Sequence, residues 1–251
     1  MKRNWLLSIS LVLTVVLSAV TNKSIAQEGY ELRFKINGLK DSLVHIANYY
    51  GEKQYLKDSA YADANGNILF KGAESLPGGI YLFVFPNKTY FEFLIDKEQK
   101  FNLECQMGNV IETMKIKGSN DNVLFYEYLK FIQDRSKEVE PLKAQRKAMA
   151  DNHQPTDSLD EKIKAIDKLV IDFKTNFINT HPDCILSAIF KGSQDPEVPE
   201  LPIKPDGSRD SAFAYYYYRN HYFDKLDLSD ERLLRSPIYH NKLQYFTKNL
   251  M

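Results

Sequence analysis

The first half of the chain alternates apolar and polar residues with the period of two that is typical of β-strands. Between residues 30 and 36, apolar side chains at every second position alternate with charged ones, which predicts one face against a core. Asn65-Gly66 is a tight-turn signal, and Ile80–Phe85 is almost wholly apolar, as in a strand covered on both faces. Further short strands are predicted at 44–50, 68–72, 89–95, 101–105 and 111–117. This spacing predicts an antiparallel β-sandwich over residues 27–118.

After Gly118 the apolar residues recur at steps of three and four, which is the helical period. We therefore expect a segregated α+β fold, in which a helical domain over residues 119–251 follows the sandwich. Ser158 and Glu161 form a capping-box pattern at the start of the second helix. Helices are predicted at about 119–149, 158–178, 182–190 and 212–223 and near the C-terminus, and the Pro-rich residues 196–205 are predicted to form a surface loop.

Residues 1–26 have the layout of a secretory signal peptide rather than of a folded element. A short positive region is followed by 16 largely apolar residues, with small residues before a cleavage site between Ala26 and Gln27. A helix of that apolar length measures about 24 Å, which is less than the bilayer core of about 30 Å. We therefore expect cleavage, no stable membrane span afterwards, and location in the periplasm or cell envelope.

Composition excludes several function classes. The chain has 33 basic and 33 acidic residues, so a nucleic-acid partner, which requires an excess of cations, is not expected. Its two cysteines are too few for a disulfide-dense scaffold or a four-cysteine zinc site. The five histidines lack paired metal spacing, and no phosphate-binding glycine loop occurs, so no cofactor or metal is predicted. The segment Asp63–Asn67 superficially resembles a calcium loop, but it is better explained as a hairpin turn.

Both halves resemble parts of one group of Gram-negative envelope proteins. The strands of 30–116, with the turn at 63–67 and the segment Gly78–Tyr81, resemble an N-terminal domain of unknown function that precedes a thioredoxin-fold domain of the thiol-disulfide interchange kind. The segments Tyr217–Asp224 and Leu228–Pro237 resemble the helical linker of the same group. The resemblance implies a role in thiol-disulfide interchange.

The chain departs from that group at the catalytic motif. The family's chemistry belongs to a Cys-x-x-Cys pair, whereas Cys105 and Cys184 lie 79 positions apart in this sequence. No redox-active residue can therefore be carried over. The resemblance implies the non-catalytic front portion of such a protein, whose partner is an envelope protein or a C-terminal thioredoxin-like domain outside this chain.

Three roles for the cysteines remain open from the sequence. Cys184 follows His181-Pro182-Asp183 and is predicted in the first turn of the third helix, where a helix N-terminus lowers a thiol pKa, although the adjacent Asp183 opposes a thiolate. Cys184 could instead be a small buried apolar residue. A Cys105–Cys184 disulfide would stabilise the fold by about 4–5 kcal/mol through loop closure, provided that the geometry permits it.

The sequence favours an exported, non-catalytic module that binds or positions a protein partner. We predict its binding surface at three aromatic residues on the sandwich edge, Tyr49, Tyr50 and Tyr55. A cell-surface or carbohydrate-binding module, and an enzyme that uses Cys184, are the alternatives. The apolar stripe near the C-terminus ends with the chain, which suggests a missing partner and predicts self-association.

Overall fold

Two four-stranded sheets face each other in the N-terminal half of the computed structural model, which describes residues 29–203, 207, 210 and 212–251. Sheet A has the strand order β4-β1-β7-β8, and sheet B has the order β3-β2-β5-β6. The strands are β1 (Glu31–Asn37), β2 (Leu43–Tyr50), β3 (Lys53–Tyr61), β4 (Asn67–Lys71), β5 (Gly79–Val84), β6 (Tyr90–Ile95), β7 (Lys100–Gln106) and β8 (Lys115–Lys117).

Aromatic rings fill the space between the two sheets. The Phe34 ring of sheet A lies 4.9 Å from the Phe83 ring and 5.3 Å from the Phe93 ring of sheet B. It also meets Phe70 of its own sheet edge-on at 5.7 Å. Edge-to-face and offset aromatic contacts at these distances are favourable beyond the apolar area that they bury. The sandwich core predicted from the alternating strands is therefore confirmed.

The helices follow the strands, as the change of period predicts. They are α1 (Val110–Thr113), α2 (Asn120–Asp151), α3 (Asp157–Thr180), α4 (Ile185–Ser193), α5 (Phe213–His221), a 3₁₀ turn (Glu231–Arg235), α6 (Pro237–Tyr245) and a terminal π-helical turn (Phe246–Leu250). The segregated α+β fold class is thus confirmed. No helix among these described residues is long and apolar enough to cross a membrane.

Four local predictions are corrected. The pairing of β1 with β7 is parallel, within an otherwise antiparallel sandwich. Residues 111–117 do not form one strand, because α1 precedes the short β8. The edge strand β3 has an exposed, largely polar sequence, so alternation did not reveal it. The second helix begins one residue before the predicted capping box, and its N-cap is Thr156.

Helices α2 and α3 form an antiparallel pair, and α2 contacts the edge strand β6 of sheet B. The Phe131 and Phe173 rings stack between them at 4.4 Å, and Tyr128 of α2 meets Phe190 of α4 at 4.7 Å. The first turns of α2 contact β6, where the Tyr126 hydroxyl donates to the Glu92 carbonyl at 2.9 Å. Helix α2 thus lies against the β6 edge of the sandwich, and α3 and α4 pack on α2.

A buried asparagine joins the strands to the helices. The Asn122 side chain of α2 is fully buried and pairs with both backbone groups of Leu94 in β6. Its Oδ1 accepts from the Leu94 N–H at 2.7 Å, and its Nδ2 donates to the Leu94 carbonyl at 2.8 Å. Since β6 is the edge strand of sheet B, this amide satisfies backbone groups that a further strand would otherwise pair.

The C-terminal segment returns to the sandwich through an arginine with two carboxylate partners. Arg232 of the 3₁₀ turn lies 2.6 Å from Asp96, which follows β6, and 2.7 Å from Asp230. Hydrogen bonding to Asp230 is the main cause of the raised pKa of the Arg232 guanidinium, whereas burial raises the pKa of Asp96. These half-buried pairs hold the 3₁₀ turn against the start of β5.

The apolar C-terminal stripe finds much of its cover within this chain. Phe246 packs on Tyr222 and Phe223 at ring distances of 5.9 and 4.9 Å, and Leu250 is buried. Leu243 of the same stripe is 38% exposed, so the described residues cover the stripe only in part. Residues 1–26 and the cleavage site at Ala26 and Gln27 lie outside the described residues, as do positions 204 and 205 of the predicted Pro-rich loop. Residues 196–202 of that loop have no helix or strand.

Candidate functional site: a tyrosine cleft at the end of the sandwich

The three tyrosines predicted as a binding surface lie on opposite faces of sheet B. Tyr49 lies on the face of sheet B that points away from sheet A, where its hydroxyl donates to Glu92 Oε1 of β6 at 2.6 Å. Burial, followed by this hydrogen bond, raises the pKa of Tyr49 above its ordinary value. Tyr49 therefore packs on the opposite face of the sheet and does not share a surface with the other two tyrosines.

Tyr50 and Tyr55 come together on the core-facing side of sheet B. Their strands form a hairpin in which Asn48 lies opposite Tyr55, and Tyr50 follows Asn48 on the same face. The two rings lie 6.3 Å apart and are nearly perpendicular, at 81°. Tyr50 is 51% exposed and Tyr55 is 48% exposed. Val44 and Ile46, earlier on the same face of β2, are buried, so the exposure of Tyr50 and Tyr55 indicates that sheet A ends before it covers the hairpin.

An open cleft of about 410 Å³ lies beside these two rings. We call it the tyrosine cleft. The fully buried Tyr81 contributes to its floor, and its hydroxyl donates to the Pro77 carbonyl at 2.9 Å. Burial raises the pKa of Tyr81 to about 12, so this hydroxyl remains a neutral donor at physiological pH. The cleft is lined by Asn48, Tyr50, Tyr55, Lys57, Pro77, Tyr81 and Arg235.

A β-bulge adds Lys57 to the lining. The pairing of β2 with β3 shifts between Ile46 and Ala47, which face Asp58 and Leu56, so Lys57 is the extra residue. A bulge of this kind redirects a side chain and interrupts the regular edge of a sheet. The neighbouring Asp58 turns inward and accepts from the Tyr30 hydroxyl at 2.7 Å. Lys57 is left exposed at the cleft.

Arg235 supplies the second cation, and it comes from the other end of the chain. Within the described residues neither Arg235 nor Lys57 forms an ion pair, although the Arg235 guanidinium donates to the Glu231 carbonyl at 3.4 Å. A Cβ on Gly79 would lie 2.3 Å from the Arg235 Cβ, so glycine is needed for this close approach. The cleft therefore carries positive charge that the neighbouring side chains do not neutralise.

The C-terminal helix fixes the hairpin that carries the two tyrosines. Glu52, in the turn between β2 and β3, accepts from Gln244 Nε2 at 3.1 Å and lies 3.2 Å from His240 Nε2. Both partners belong to α6. The cleft is thus assembled from residues that are far apart in sequence, which explains why the sequence pattern indicated the tyrosines but neither of the cations.

The geometry of the cleft leaves a notch between its two tyrosine rings. The rings of Tyr50 and Tyr55 are nearly perpendicular, so an apolar side chain could contact both of them. The unpaired Lys57 and Arg235 match a carboxylate beside that apolar side chain. A short segment that combines an apolar residue with an acidic one has the complementary chemistry.

The two cysteines are free, buried and in different surroundings. Cys105 is 1% exposed in the sandwich core, and Cys184 is 7% exposed and is the N-cap residue of α4, not a residue of its first turn. Burial raises the pKa of each thiol to about 12, and Asp121 also raises that of Cys184. The disulfide that the sequence permits is not formed, since Cys105 belongs to β7 whereas Cys184 precedes α4 beside Asp121.

We expect both thiols to react slowly in the native protein. With a pKa of about 12, the thiolate fraction near pH 8 is far below that of an unfolded cysteine, whose pKa is about 8.5. Labelling by a disulfide reagent should therefore be at least about 100-fold slower in native protein than in guanidinium. Fast labelling of Cys184 near pH 7 would restore the enzyme alternative, and the variant Cys105→Ala assigns the signal to one thiol.

The turn that superficially resembles a calcium loop uses its carboxylate internally. Asp63 Oδ1 accepts from the backbone N–H groups of Asn65 and Asn67, each at 2.8 Å. A further bond from the Asn67 side chain is the main cause of the lowered pKa of Asp63. The segment is a tight turn, as predicted, but the hairpin prediction is wrong, because the turn links β3 of sheet B to β4 of sheet A and these two strands do not pair. Across the described residues, no group of three or more His, Cys, Asp or Glu side chains is arranged to hold a metal ion.

Comparison with solved structures gives partial matches of low similarity. The crystal structure of (S)-allantoin synthase matches over 38% of this chain at 10% identity with a TM-score of 0.28, and this chain covers 45% of that protein's length. The 5-hydroxyisourate hydrolase of Klebsiella pneumoniae matches over 36% of this chain and 94% of its own at 15% identity, with a TM-score of 0.23. Matches of this quality carry no argument about function.

Comparison of the sequence with known families is more informative about the first half of the chain. No curated protein gives a significant match. The family match begins one residue before β1 and continues into the first turns of α2, where Asn122 joins the helices to β6. Residues 30–125 of this chain match the family described as Domain of unknown function (DUF4369).

Proposed function

We propose that this chain is an exported, non-catalytic module that binds a protein partner through the tyrosine cleft. The observation that carries the proposal is the pair of exposed rings, Tyr50 and Tyr55, beside the unpaired cations Lys57 and Arg235. Tyrosine and arginine are enriched among residues that dominate binding energy at protein interfaces. The proposed ligand is a partner segment with an apolar residue next to a carboxylate.

The proposed partner is a thioredoxin-fold domain in the cell envelope. Support for this choice is the resemblance of the strand and linker segments to the front portion of thiol-disulfide interchange proteins, whose catalytic pair this chain lacks. Support for export is the signal-peptide layout of residues 1–26. In this proposal the module positions the partner and takes no part in electron transfer, consistent with thiols whose pKa values are raised to about 12.

Calorimetric titration of the chain with a thioredoxin-fold domain from the same envelope tests the proposal. We expect the double variant Tyr50→Ala/Tyr55→Ala to bind at least about tenfold more weakly than the unmodified chain, which corresponds to about 1.4 kcal/mol or more. The matched control is Tyr216→Ala, because Tyr216 is 55% exposed on α5 and lies outside the cleft.

The substituted side chains are exposed, so circular dichroism should show unchanged folding in all variants. Equal affinity of the double variant and the unmodified chain would exclude the cleft as the binding site. Absence of binding by the unmodified chain would exclude the thioredoxin-fold partner. Binding of neutral oligosaccharides that the double variant abolishes would instead favour the carbohydrate-binding alternative.

A further inference from the structure

We propose that the outward face of sheet A binds an acidic polysaccharide. This face is the side of β4, β1, β7 and β8 that points away from sheet B, and we call it the basic face. Its outward residues Arg33 and Lys35 on β1 are exposed, and Glu31 on the same strand is half-buried. The proposed site is separate from the tyrosine cleft, so neither proposal depends on the other.

Strand register brings the charged residues of this face into three transverse rows. In the first row Glu31 of β1 lies between Lys71 of β4 and Lys100 of β7. In the second, Arg33 lies between Leu69 and Asn102. Neighbouring strands are about 4.8 Å apart, and alternate residues of one strand about 6.7 Å apart, so the rows form a regular grid.

The third row adds charge from the short edge strand. Lys35 lies opposite Glu104, and Glu104 lies opposite Lys115, while Lys117 completes the second row. Among the residues that the structure describes, six cationic side chains thus share the face with two carboxylates, in a chain whose net charge is zero. Such an uneven distribution of charge creates a positive potential over one surface and attracts a polyanion.

The two carboxylates of the basic face form ion pairs with only some of its cations. Glu31 is shared by Lys71 at 3.1 Å and Arg33 at 2.5 Å, and the pKa of Glu31 is lowered chiefly by its bond to Lys71. Glu104 lies 3.5 Å from Lys115. Among the residues that the structure describes, Lys35 and Lys117 take part in no ion pair. They are the cations available to an incoming anion.

The shape of the face favours an extended polymer over a membrane. A cavity of about 770 Å³ lies along it, and its lining includes Arg33, Lys35, Tyr61, Lys115 and Lys117. A concave surface of this size cannot lie flush against a planar bilayer, whereas a chain of sugar residues can lie within it. The cavity is larger than that of the tyrosine cleft and falls within the range of small-ligand sites.

The side chains among the cations favour a sugar over a peptide. Tyr61 at the rim is 72% exposed and presents a ring that can stack on a sugar, and the exposed amides of Asn67 and Asn102 can bond hydroxyl groups. A bound peptide would need apolar pockets for its side chains, and Leu69 is the only large aliphatic residue that the cavity lining exposes in the described structure. A polymer of carboxylated sugars supplies carboxylates for the cations and hydroxyl groups for the asparagine amides.

Binding of polygalacturonate to the full chain tests this proposal, with neutral dextran and polyglutamate as comparison polymers. We expect polygalacturonate to bind at about 50 mM NaCl and to weaken strongly at about 200 mM, as ionic binding does. The variant Lys35→Gln/Lys117→Gln should weaken this binding about tenfold or more. The matched control, Lys147→Gln/Lys162→Gln, makes the same charge change at exposed positions on α2 and α3.

Each outcome decides for or against the basic face. The proposal is supported if Lys35→Gln/Lys117→Gln loses affinity for polygalacturonate while the lysine control and Tyr50→Ala/Tyr55→Ala bind it as the unmodified chain does. An equal loss of affinity in both lysine variants would show that binding depends only on the net charge of the chain, and it would overturn the proposal. Equal binding of polyglutamate would overturn the preference for a sugar, and absence of binding to polygalacturonate would exclude an acidic polysaccharide of this kind.

Discussion

Replacing Phe34 with alanine is expected to lower the free energy of unfolding by about 3–5 kcal/mol. The Phe34 ring sits between the two sheets and contacts four other phenylalanine rings, of which three belong to sheet B. Its removal leaves a cavity at a point where β-strands from both sides limit relaxation. Guanidinium denaturation followed by circular dichroism measures this loss.

Two further variants keep that prediction testable if Phe34→Ala does not fold. Phe34→Leu, which retains most of the apolar volume, should cost about 1–1.5 kcal/mol. Leu69→Ala, on the exposed side of the adjacent strand, should change stability by less than about 0.5 kcal/mol. Similar small costs for Phe34→Ala and Leu69→Ala would contradict the packing of the two sheets described above.

Asn122→Ala is expected to lower the free energy of unfolding by about 3 kcal/mol, although Asn122 is a small polar residue. The substitution leaves the backbone N–H and carbonyl of Leu94 without their partners, and each unsatisfied buried group costs about 1–3 kcal/mol. Because Asn122 joins α2 to β6, we also expect faster proteolysis of the helical region. Chemical denaturation and limited proteolysis measure the two effects.

The requirement for both amide groups separates this role from simple packing. Asn122→Asp keeps the size and the acceptor for the Leu94 N–H, but it removes the donor and places an oxygen against the Leu94 carbonyl. It should therefore be as damaging as alanine. Asn120→Ala, at the exposed first position of the same helix, is the matched control. If Asn122→Asp were neutral, the pairing with Leu94 would not contribute to stability.

The fold class followed from the sequence because two different periods meet near Gly118. Alternation with a period of two identified most strands, since one face of each packs on the phenylalanine core. It missed β3, because an edge strand that exposes both faces has no such pattern. The same alternation predicted a single strand where the structure has α1 and β8, because a four-residue helix is too short to show a helical period.

The binding surface could be predicted only in part. The sequence indicated aromatic residues at the sandwich edge, and Tyr50 and Tyr55 do lie together at the tyrosine cleft. Adjacent residues of a strand point to opposite faces, so Tyr49 could not share that surface with Tyr50. Lys57 depends on a bulge, and Arg235 depends on docking of a distant segment against Gly79. Neither arrangement has a local pattern in the sequence.

Photo-cross-linking in the producing cells tests whether the tyrosine cleft binds a protein. A benzophenone-bearing amino acid is placed at position 50 or 55, with position 216 as the exposed control. We expect a discrete cross-linked thioredoxin-fold protein from positions 50 and 55 and none from position 216. Absence of a cross-link at 50 and 55, or the same products from all three positions, would contradict it.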